Sequence, residues 1–412
     1  MKFASSLTSF FHWLAASLLG ASSAISLWAA EPRTVPWDLT ALAHAPKTYP
    51  ATATAEGVRG LYFEGLPWKG KPTRVFAWYG VPKTAAGAKV PAVVLLHGGG
   101  GTAFDEWVRI WNSHGYAAIS LALEGQDAGG DRMPYPRHAF SGPERAGIYE
   151  DIELPVADQW YFHAMADAIL ANSLLRSFPE IDASRIGVTG ISWGGIMTTG
   201  IVGVDPRFAF AIPVYGCGFL SEVPRLKAAL EKSGHTARYL ELWEPVNFLG
   251  RATLPMLWVN DANDLSFPLN VHAKTTALPR GPSTISLHVG MRHGHKPGWS
   301  RPEIYVFADS VTKGGEPLAR IEEEGRDRTH AWLRYRSGHA VKKAELVYTT
   351  EPKDWVQAVW QIQPARLDET AKRATAELPP GTRGYFFNVI DDRDLLVSTA
   401  MRQVAAGEGS RP

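Results

Sequence analysis

The sequence predicts an α/β fold in which a doubly wound, mostly parallel sheet is followed by a small C-terminal all-β sandwich. Two observations carry this prediction. Strand-like apolar runs alternate with helical patterns through most of the chain, which is typical of a parallel sheet covered by helices. Beyond residues 313–317, strands with period-two alternation and turn clusters replace the helical patterns, as in an antiparallel sandwich.

The elements follow one another in a consistent order. Two β-rich runs, 58–64 and 73–78, predict an antiparallel hairpin. The continuous apolar run 90–96 predicts a fully buried central strand, and apolar residues that recur every four positions over 156–169 predict a helix with one broad apolar face. Further strand-like runs lie at 116–121, 185–189, 208–212, 256–259, 284–289, 344–348 and 385–389.

The composition of the 412-residue chain is that of an ordinary globular protein. Its residues are 45% hydrophobic and 20% charged, and 42 Lys and Arg against 41 Asp and Glu give a formal net charge of +1. Such a chain is too apolar for disorder and too balanced in charge for a protein that binds nucleic acid by neutralising phosphates. We therefore predict no nucleic-acid partner.

Residues 1–30 predict a secretory signal peptide, the alternative being a disordered N-terminus in the cytosol. Lys2 precedes an apolar stretch among small residues, and no acidic side chain occurs before Glu31. This stretch is too short and too broken by polar residues for stable membrane insertion. The single cysteine, Cys217, permits no intramolecular disulfide. We expect a periplasmic or secreted protein with an α/β catalytic domain at 31–315 and a sandwich at 316–412.

The run Gly190-Ile191-Ser192-Trp193-Gly194-Gly195 lies between a predicted strand and an apolar helix. Glycines two positions before and two positions after the serine permit the tight turn that exposes a nucleophile at the carboxyl end of a strand. Ser192 is therefore the candidate nucleophile. The alternative interpretation of this short motif is an ordinary Gly/Ser turn.

A glycine-rich loop, residues 97–101, follows the buried strand 90–96. Its backbone N–H groups are suited to stabilise the oxyanion of a tetrahedral intermediate in acyl transfer. Gly99 and Trp193, the residue after the nucleophile, are the predicted donors. A phosphate cradle is disfavoured because the chain has neither G-x-G-x-x-G nor a Lys-Ser/Thr pair here.

The acid and the base are expected to follow the serine in that order. Asp264 is the first carboxylate beyond the turn residues that follow strand 256–259, and Asp261 is the alternative acid. For the base we favour His295 over His293, because Gly294 gives it conformational freedom to enter a cleft. A metal site at the two histidines is disfavoured, since Cys and carboxylate ligands at zinc-like spacing are missing from the sequence.

With these motifs, residues 58–312 resemble the α/β-hydrolase superfamily, and the stretch 178–195 is similar to its acetyl xylan esterase, dienelactone hydrolase and prolyl-oligopeptidase-like branches. The resemblance implies Ser192, Asp264 and His295 as nucleophile, acid and base. The acid loop, residues 260–264, lacks the glycine that many relatives carry near its start, and we expect no β-propeller before the catalytic domain. An esterase is therefore favoured over an oligopeptidase.

The resemblance implies hydrolysis through an acyl-enzyme that needs no metal or organic cofactor. The rings of Trp193 and Trp299 adjoin catalytic positions and offer flat surfaces for a sugar or an acyl chain, and His293 is assigned to the substrate. The expected partner is a small-molecule or polysaccharide ester, with deacetylation of a polysaccharide such as xylan as the leading hypothesis. The alternatives are a serine peptidase and a non-catalytic carbohydrate-binding protein on the same fold.

Overall fold

The computed structural model describes residues 34–85, 87–129, 133–352 and 354–405. Described residues from Val35 onward belong to one compact unit. The predicted signal peptide lies outside the described residues. Within the described ranges, no helix is both long enough and apolar enough to span a lipid bilayer.

A nine-stranded mixed sheet forms the centre of the molecule. Its strands, in the spatial order β1-β2-β3-β5-β4-β6-β7-β8-β9, are antiparallel as far as β5 and parallel from β5 to β9. Their bounds are β1 (Thr48–Ala55), β2 (Val58–Trp68), β3 (Lys71–Gly80), β4 (Val90–Leu96), β5 (Ala117–Leu121), β6 (Ile181–Ile191), β7 (Phe210–Val214), β8 (Met256–Asp261) and β9 (Ser283–His288).

Helices occupy most of the connections between these strands. Parallel neighbours need such crossovers, since a tight turn cannot join them. The helices are α1 (Leu39–Leu42), α2 (Asp105–Ser113), α3 (Trp160–Ser177), α4 (Trp193–Ile201), α5 (Pro224–Ser233), α6 (Thr236–Leu242), α7 (Val246–Leu249), α8 (Leu269–Thr276), α9 (His295–Trp299) and α10 (Pro302–Thr312).

The C-terminal part consists of antiparallel strands, and the predicted fold class is confirmed. One layer pairs β10, β11, β14 and β13, and the other pairs β13, β12, β15, β16 and β17. These strands are β10 (Arg320–Arg326), β11 (His330–Arg336), β12 (Val341–Thr349), β13 (Gln361–Asp368), β14 (Arg373–Glu377), β15 (Gly384–Asp391), β16 (Leu396–Ser398) and β17 (Arg402–Gln403).

Two features of the fold go beyond the sequence prediction. β16 pairs with β9 through Ser398 and Ile285, so the C-terminal strands extend the edge of the central sheet. Helix α3 is buried from Trp160 to Leu175 rather than along one face. Its outer side is covered by the segment before β1, where the Trp37 indole donates a hydrogen bond to the Phe162 carbonyl at 2.9 Å. The division at residue 315 stays a prediction.

Candidate active site

Ser192 occupies the tight turn between β6 and α4. Its φ of 59° is unusual for a residue with a side chain, and such strain is commonly held at functional positions. A Cβ on Gly190 would lie 2.1 Å from the Gly194 carbonyl oxygen, and a Cβ on Gly194 would lie 2.0 Å from that of Leu96. Both glycines are thus required by close backbone approach, and the turn presents Ser192 above the carboxyl end of β6.

Asp264, in the loop after β8, is paired with His293. Its Oδ2 lies 2.6 Å from His293 Nδ1, and its Oδ1 accepts hydrogen bonds from the backbone N–H groups of Ser266 at 2.8 Å and Phe267 at 2.9 Å. The carboxylate is fully buried. These contacts hold the carboxylate in a position that suits it to orient an imidazole.

The His293 ring is held between aromatic neighbours. It stacks on Tyr215 at a centroid distance of 4.6 Å and on Phe267 at 6.2 Å, and 32% of its side-chain surface is exposed. Because Nδ1 contacts the carboxylate, the ring carries its proton there, and Nε2 is free to accept one. His293 and Ser192 line the same cavity.

His295 lies elsewhere, and this corrects the pairing with Asp264 that the sequence favoured. Its Nε2 accepts a hydrogen bond from the Gly98 N–H at 2.9 Å, and burial lowers its pKa to about 4. Gly294 does not give His295 special conformational freedom, because its φ of 167° is extended backbone that any residue adopts. His295 is the first residue of α9, and it packs beneath the glycine-rich loop, where a Cβ on Gly101 would lie 2.8 Å from its Nε2.

A second histidine holds the same loop. His97 Nδ1 lies 2.8 Å from the Gly98 carbonyl oxygen, and its Nε2 accepts a hydrogen bond from the Leu123 N–H at 3.0 Å. Burial lowers the pKa of His97 to about 3, so the ring is neutral with its proton on Nδ1. The N–H and the carbonyl of Gly98 are therefore both held by histidines, and the next residue, Gly99, lies against Trp193.

The cavity above Ser192 has a volume of about 500 Å³. The predicted residues Ser192, Gly99, Trp193 and His293 all line it. The other lining residues were not predicted from the sequence. They are mainly apolar but include two arginines: Gly100, Met133, Arg145, Gly147, Ile148, Ile196, Arg225, Leu226, Ser266 and Phe267.

Trp299 does not have the role expected for it. Its side chain is only 3% exposed, and its ring stacks on Trp107 at 5.3 Å and meets Phe104 edge-on at 5.4 Å. It therefore belongs to the core behind His295, and it is not among the described residues that line the cavity. Trp299 ends α9, and packing of its indole against Trp107 of α2 accounts for this burial.

Asp261, the alternative acid, supports the base loop instead. Its Oδ1 accepts hydrogen bonds from the backbone N–H groups of Gly290 at 2.9 Å and Met291 at 3.1 Å. Burial raises the pKa of Asp261 above its usual range. Within the described ranges, no group of three His, Cys, Asp or Glu side chains is placed to hold a metal ion.

Arg145 and Glu124 form a buried ion pair at the cavity wall. Arg145 Nε donates to Glu124 Oε1 at 2.9 Å, and their side chains are 20% and 10% exposed. Burial raises the pKa of Glu124, while Arg145 opposes this shift. Glu124 closely follows β5, whose carboxyl end lies beside that of β4. This position after a strand could have indicated from the sequence that Glu124 lies near the site. Arg145 lies in an irregular loop without such a signal.

Comparison with known proteins agrees with this architecture. The family model for acetyl xylan esterase (AXE1) matches residues 46–250. Two solved structures share the fold with a TM-score of 0.50: an acetyl xylan esterase from Paenibacillus sp. R4, 22% identical over 62% of this chain and 87% of that one, and acetyl xylan esterase 1 from Thermoanaerobacterium sp. JW/SL YS485, 19% identical over 63% and 90%.

A curated relative matches a shorter segment. The chain is 31% identical over 127 residues to an uncharacterized peptidase, YuxL, from Bacillus subtilis (strain 168). The match covers 30% of this chain and only 16% of the length of that relative.

Proposed function

We propose that this chain, which has an α/β-hydrolase fold and matches the acetyl xylan esterase family model over residues 46–250, hydrolyses carboxylic esters through Ser192, His293 and Asp264. The observation that carries this proposal is the 2.6 Å contact between Asp264 and His293, at the edge of the cavity that contains Ser192. The assignment keeps the predicted nucleophile and acid and replaces His295 by His293 as the base.

The proposed reaction has two steps. His293 Nε2 removes the proton of the Ser192 hydroxyl as its oxygen attacks the ester carbonyl, and the N–H groups of Gly99 and Trp193 stabilise the oxyanion. The carbon–oxygen bond to the alcohol then breaks, and His293 returns the proton to the departing alcohol. Water, deprotonated by His293, releases the acid and restores the Ser192 hydroxyl. Asp264 keeps the imidazole in the tautomer that these transfers need.

The proposed substrate is an acetylated polysaccharide or a small-molecule ester, met outside the cytoplasm after export. The match to the acetyl xylan esterase family supports the acetyl ester, and the N-terminal sequence supports export. The segment shared with a peptidase keeps peptide hydrolysis as the second candidate. Both reactions use the same nucleophile and pass through an acyl-enzyme. They differ in the acyl group, which is acetyl or peptidyl, and in the leaving group, which is an alcohol or an amine.

A serine-reactive fluorophosphonate probe tests the proposal. We expect labelling of the wild type and loss of labelling in Ser192→Ala, with Ser113→Ala, an exposed serine at the end of α2, as the matched control that stays labelled. Turnover of 4-nitrophenyl acetate by Ser192→Ala should fall below about one hundredth of the wild-type kcat. Labelling independent of Ser192 would contradict the covalent mechanism. Cleavage of proline-containing peptides without deacetylation of acetylated xylan would favour the peptidase.

A further inference from the structure

Arg145 is a half-buried cation on the wall of the cavity that contains Ser192, and contacts behind its guanidinium fix its position. Nε donates to Glu124 Oε1 at 2.9 Å, and Nη1 donates to the Gly147 carbonyl at 2.7 Å. The guanidinium also lies 5.3 Å from the ring centroid of Trp193. These contacts use Nε and Nη1, so the N–H groups of Nη2 remain to meet a ligand.

The Nη2 edge lies at the proposed oxyanion hole. A Cβ on Gly99 would be 3.3 Å from Arg145 Nη2 and 2.7 Å from Trp193 Cδ1, so Gly99 lies close to both side chains. Gly99, Arg145 and Ser192 line the same cavity. A group bound to Nη2 therefore lies within a few atoms of a carbonyl carbon attacked by Ser192.

The charge around the cavity favours an anion. Arg225 is a second, exposed arginine on its wall, and the described lining residues include no carboxylate. A guanidinium that is only 20% exposed has lost most of its hydration, and Glu124 compensates for this on one side alone. In such a partly desolvated site, a two-pronged contact with a carboxylate is stronger than the same contact in water.

We propose that Arg145 binds a carboxylate of the substrate, so that the preferred substrates are esters whose acid or alcohol part is itself anionic. Esters of dicarboxylic acids and acetylated acidic sugars belong to this class. The inference rests on the proposed esterase function and specifies the substrate class of the same site. Arg145 is then a specificity-determining residue, and Glu124 keeps its guanidinium in place.

Two matched pairs of esters test the proposal. In the first, 4-nitrophenyl butyrate is compared with mono-4-nitrophenyl succinate, which places a carboxylate at the end of an acyl chain of similar length. In the second, 4-acetoxybenzamide is compared with 4-acetoxybenzoate, which places the carboxylate on the alcohol. We expect wild-type kcat/KM to favour the anionic member of at least one pair by about tenfold or more, the range of a charge-assisted hydrogen bond.

Substitution of Arg145 separates recognition from support of the fold. Arg145→Gln should abolish the preference for the anionic ester, so that kcat/KM falls at least about tenfold more for the anionic ester than for its neutral partner, because only the anionic ester makes this contact. Arg145→Lys should keep part of the preference. Arg366→Gln, an exposed arginine on β13, is the matched control and should retain the wild-type preference.

Each outcome has a distinct meaning. A wild type that treats both members of each pair equally, or prefers the neutral ones, overturns the anion site, while Ser192-dependent turnover still supports the esterase. Equal losses on neutral and anionic esters in both Arg145 variants also overturn it, since Arg145 would then serve the oxyanion or the fold. Absence of Ser192-dependent turnover of any ester refutes the proposed function itself.

Discussion

His295 and Gly98 are joined by a hydrogen bond of 2.9 Å from the Gly98 N–H to the His295 Nε2. His295 thus holds the glycine-rich loop, while His293, two residues earlier, contacts Asp264 at 2.6 Å. The two histidines connect the two halves of the proposed catalytic machinery, which arise from β4 and from β8. A change in either residue is therefore expected to affect catalysis, but through different atoms.

Substitution of the two histidines should separate these roles. His293→Ala removes the proposed base, and we expect kcat to fall by about three orders of magnitude or more. His295→Ala removes an acceptor for the Gly98 N–H, and a smaller loss of about ten- to a hundredfold is expected from a displaced oxyanion loop. Single-turnover acylation with 4-nitrophenyl acetate measures both effects.

His295→Gln gives the control for this comparison, because its amide oxygen can still accept a hydrogen bond and it should recover part of the lost rate. Near-normal acylation in His293→Ala together with collapse in His295→Ala and His295→Gln would restore His295 as the base.

Substitution of Asp264 and of Asp261 should also affect kcat to different extents. Asp264→Asn leaves the shape of the site but removes the charge that orients His293, and kcat should drop by about three to four orders of magnitude, as triads of this type show. Asp261→Asn keeps an oxygen for the Gly290 and Met291 N–H groups, and its effect on kcat should stay within about tenfold. A larger kinetic loss in Asp261→Asn than in Asp264→Asn would reverse the assignment.

Acid should destabilise the fold between about pH 6.5 and pH 4. Burial lowers the pKa of His295 from 6.5 to about 4. In this window the unfolded chain binds a proton that the folded His295 does not, so the free energy of unfolding decreases as the pH falls. The steepest contribution of one such group is about 1.4 kcal/mol per pH unit. Buried His97, His272 and His288, whose pKa values are also lowered, act in the same direction.

Urea denaturation at several pH values checks this dependence. The slope of the free energy of unfolding against pH should be smaller in His295→Gln than in the wild type, since one titrating group is gone. An unchanged slope would show that His295 titrates alike in the folded and unfolded chain.

The C-terminal strands should influence catalysis through the acid loop. Trp360 Nε1 donates to the Ala262 carbonyl at 3.0 Å, and Asn263 Nδ2 donates to the Ala358 carbonyl at 2.6 Å. Trp360→Phe keeps an aromatic ring but loses the donor, which should cost about 1–2 kcal/mol of stability. We expect kcat to fall severalfold at nearly constant KM, because Asp264 follows directly on this loop.

Trp332→Phe, on β11, is the matched control for the loss of an indole from the sandwich. A fall in stability of Trp360→Phe with kcat unchanged would show that the contact is structural only. Truncation near Gly315 tests the same contact more severely, since it removes both partners of the acid loop while every residue of the proposed triad remains.

A structural feature could be predicted from the sequence when the residues that cause it are close together along the chain. Strand β4 is a continuous apolar run because all its residues are buried, and the tight turn at Ser192 requires glycines only two residues away. The partner of each histidine lies far away along the sequence: His293 and Asp264 are 29 residues apart, and His295 and Gly98 are 197 residues apart. No local pattern distinguishes two histidines that are separated by one residue.

Arg145 illustrates the same limit. Its partner Glu124 is 21 residues away, and the loop between them has no periodicity that aims a side chain. The burial of Trp299 was equally invisible, because a tryptophan beside a catalytic loop is as compatible with a stacking partner in the core as with a sugar. The partner of Arg145 and the burial of Trp299 become visible only in the folded structure.

The hydrogen bond between Trp360 and Ala262 joins residues 98 positions apart, and this has a consequence for the nascent chain. The ribosome completes the segment with Ser192, Asp264 and His293 well before it adds the tryptophan. Closing so long a loop carries an entropic cost that only folding of the last strands can offset. We therefore expect hydrolytic competence to arise late, as the C-terminal strands dock, so that partly synthesised chains carry all three catalytic side chains and remain inactive.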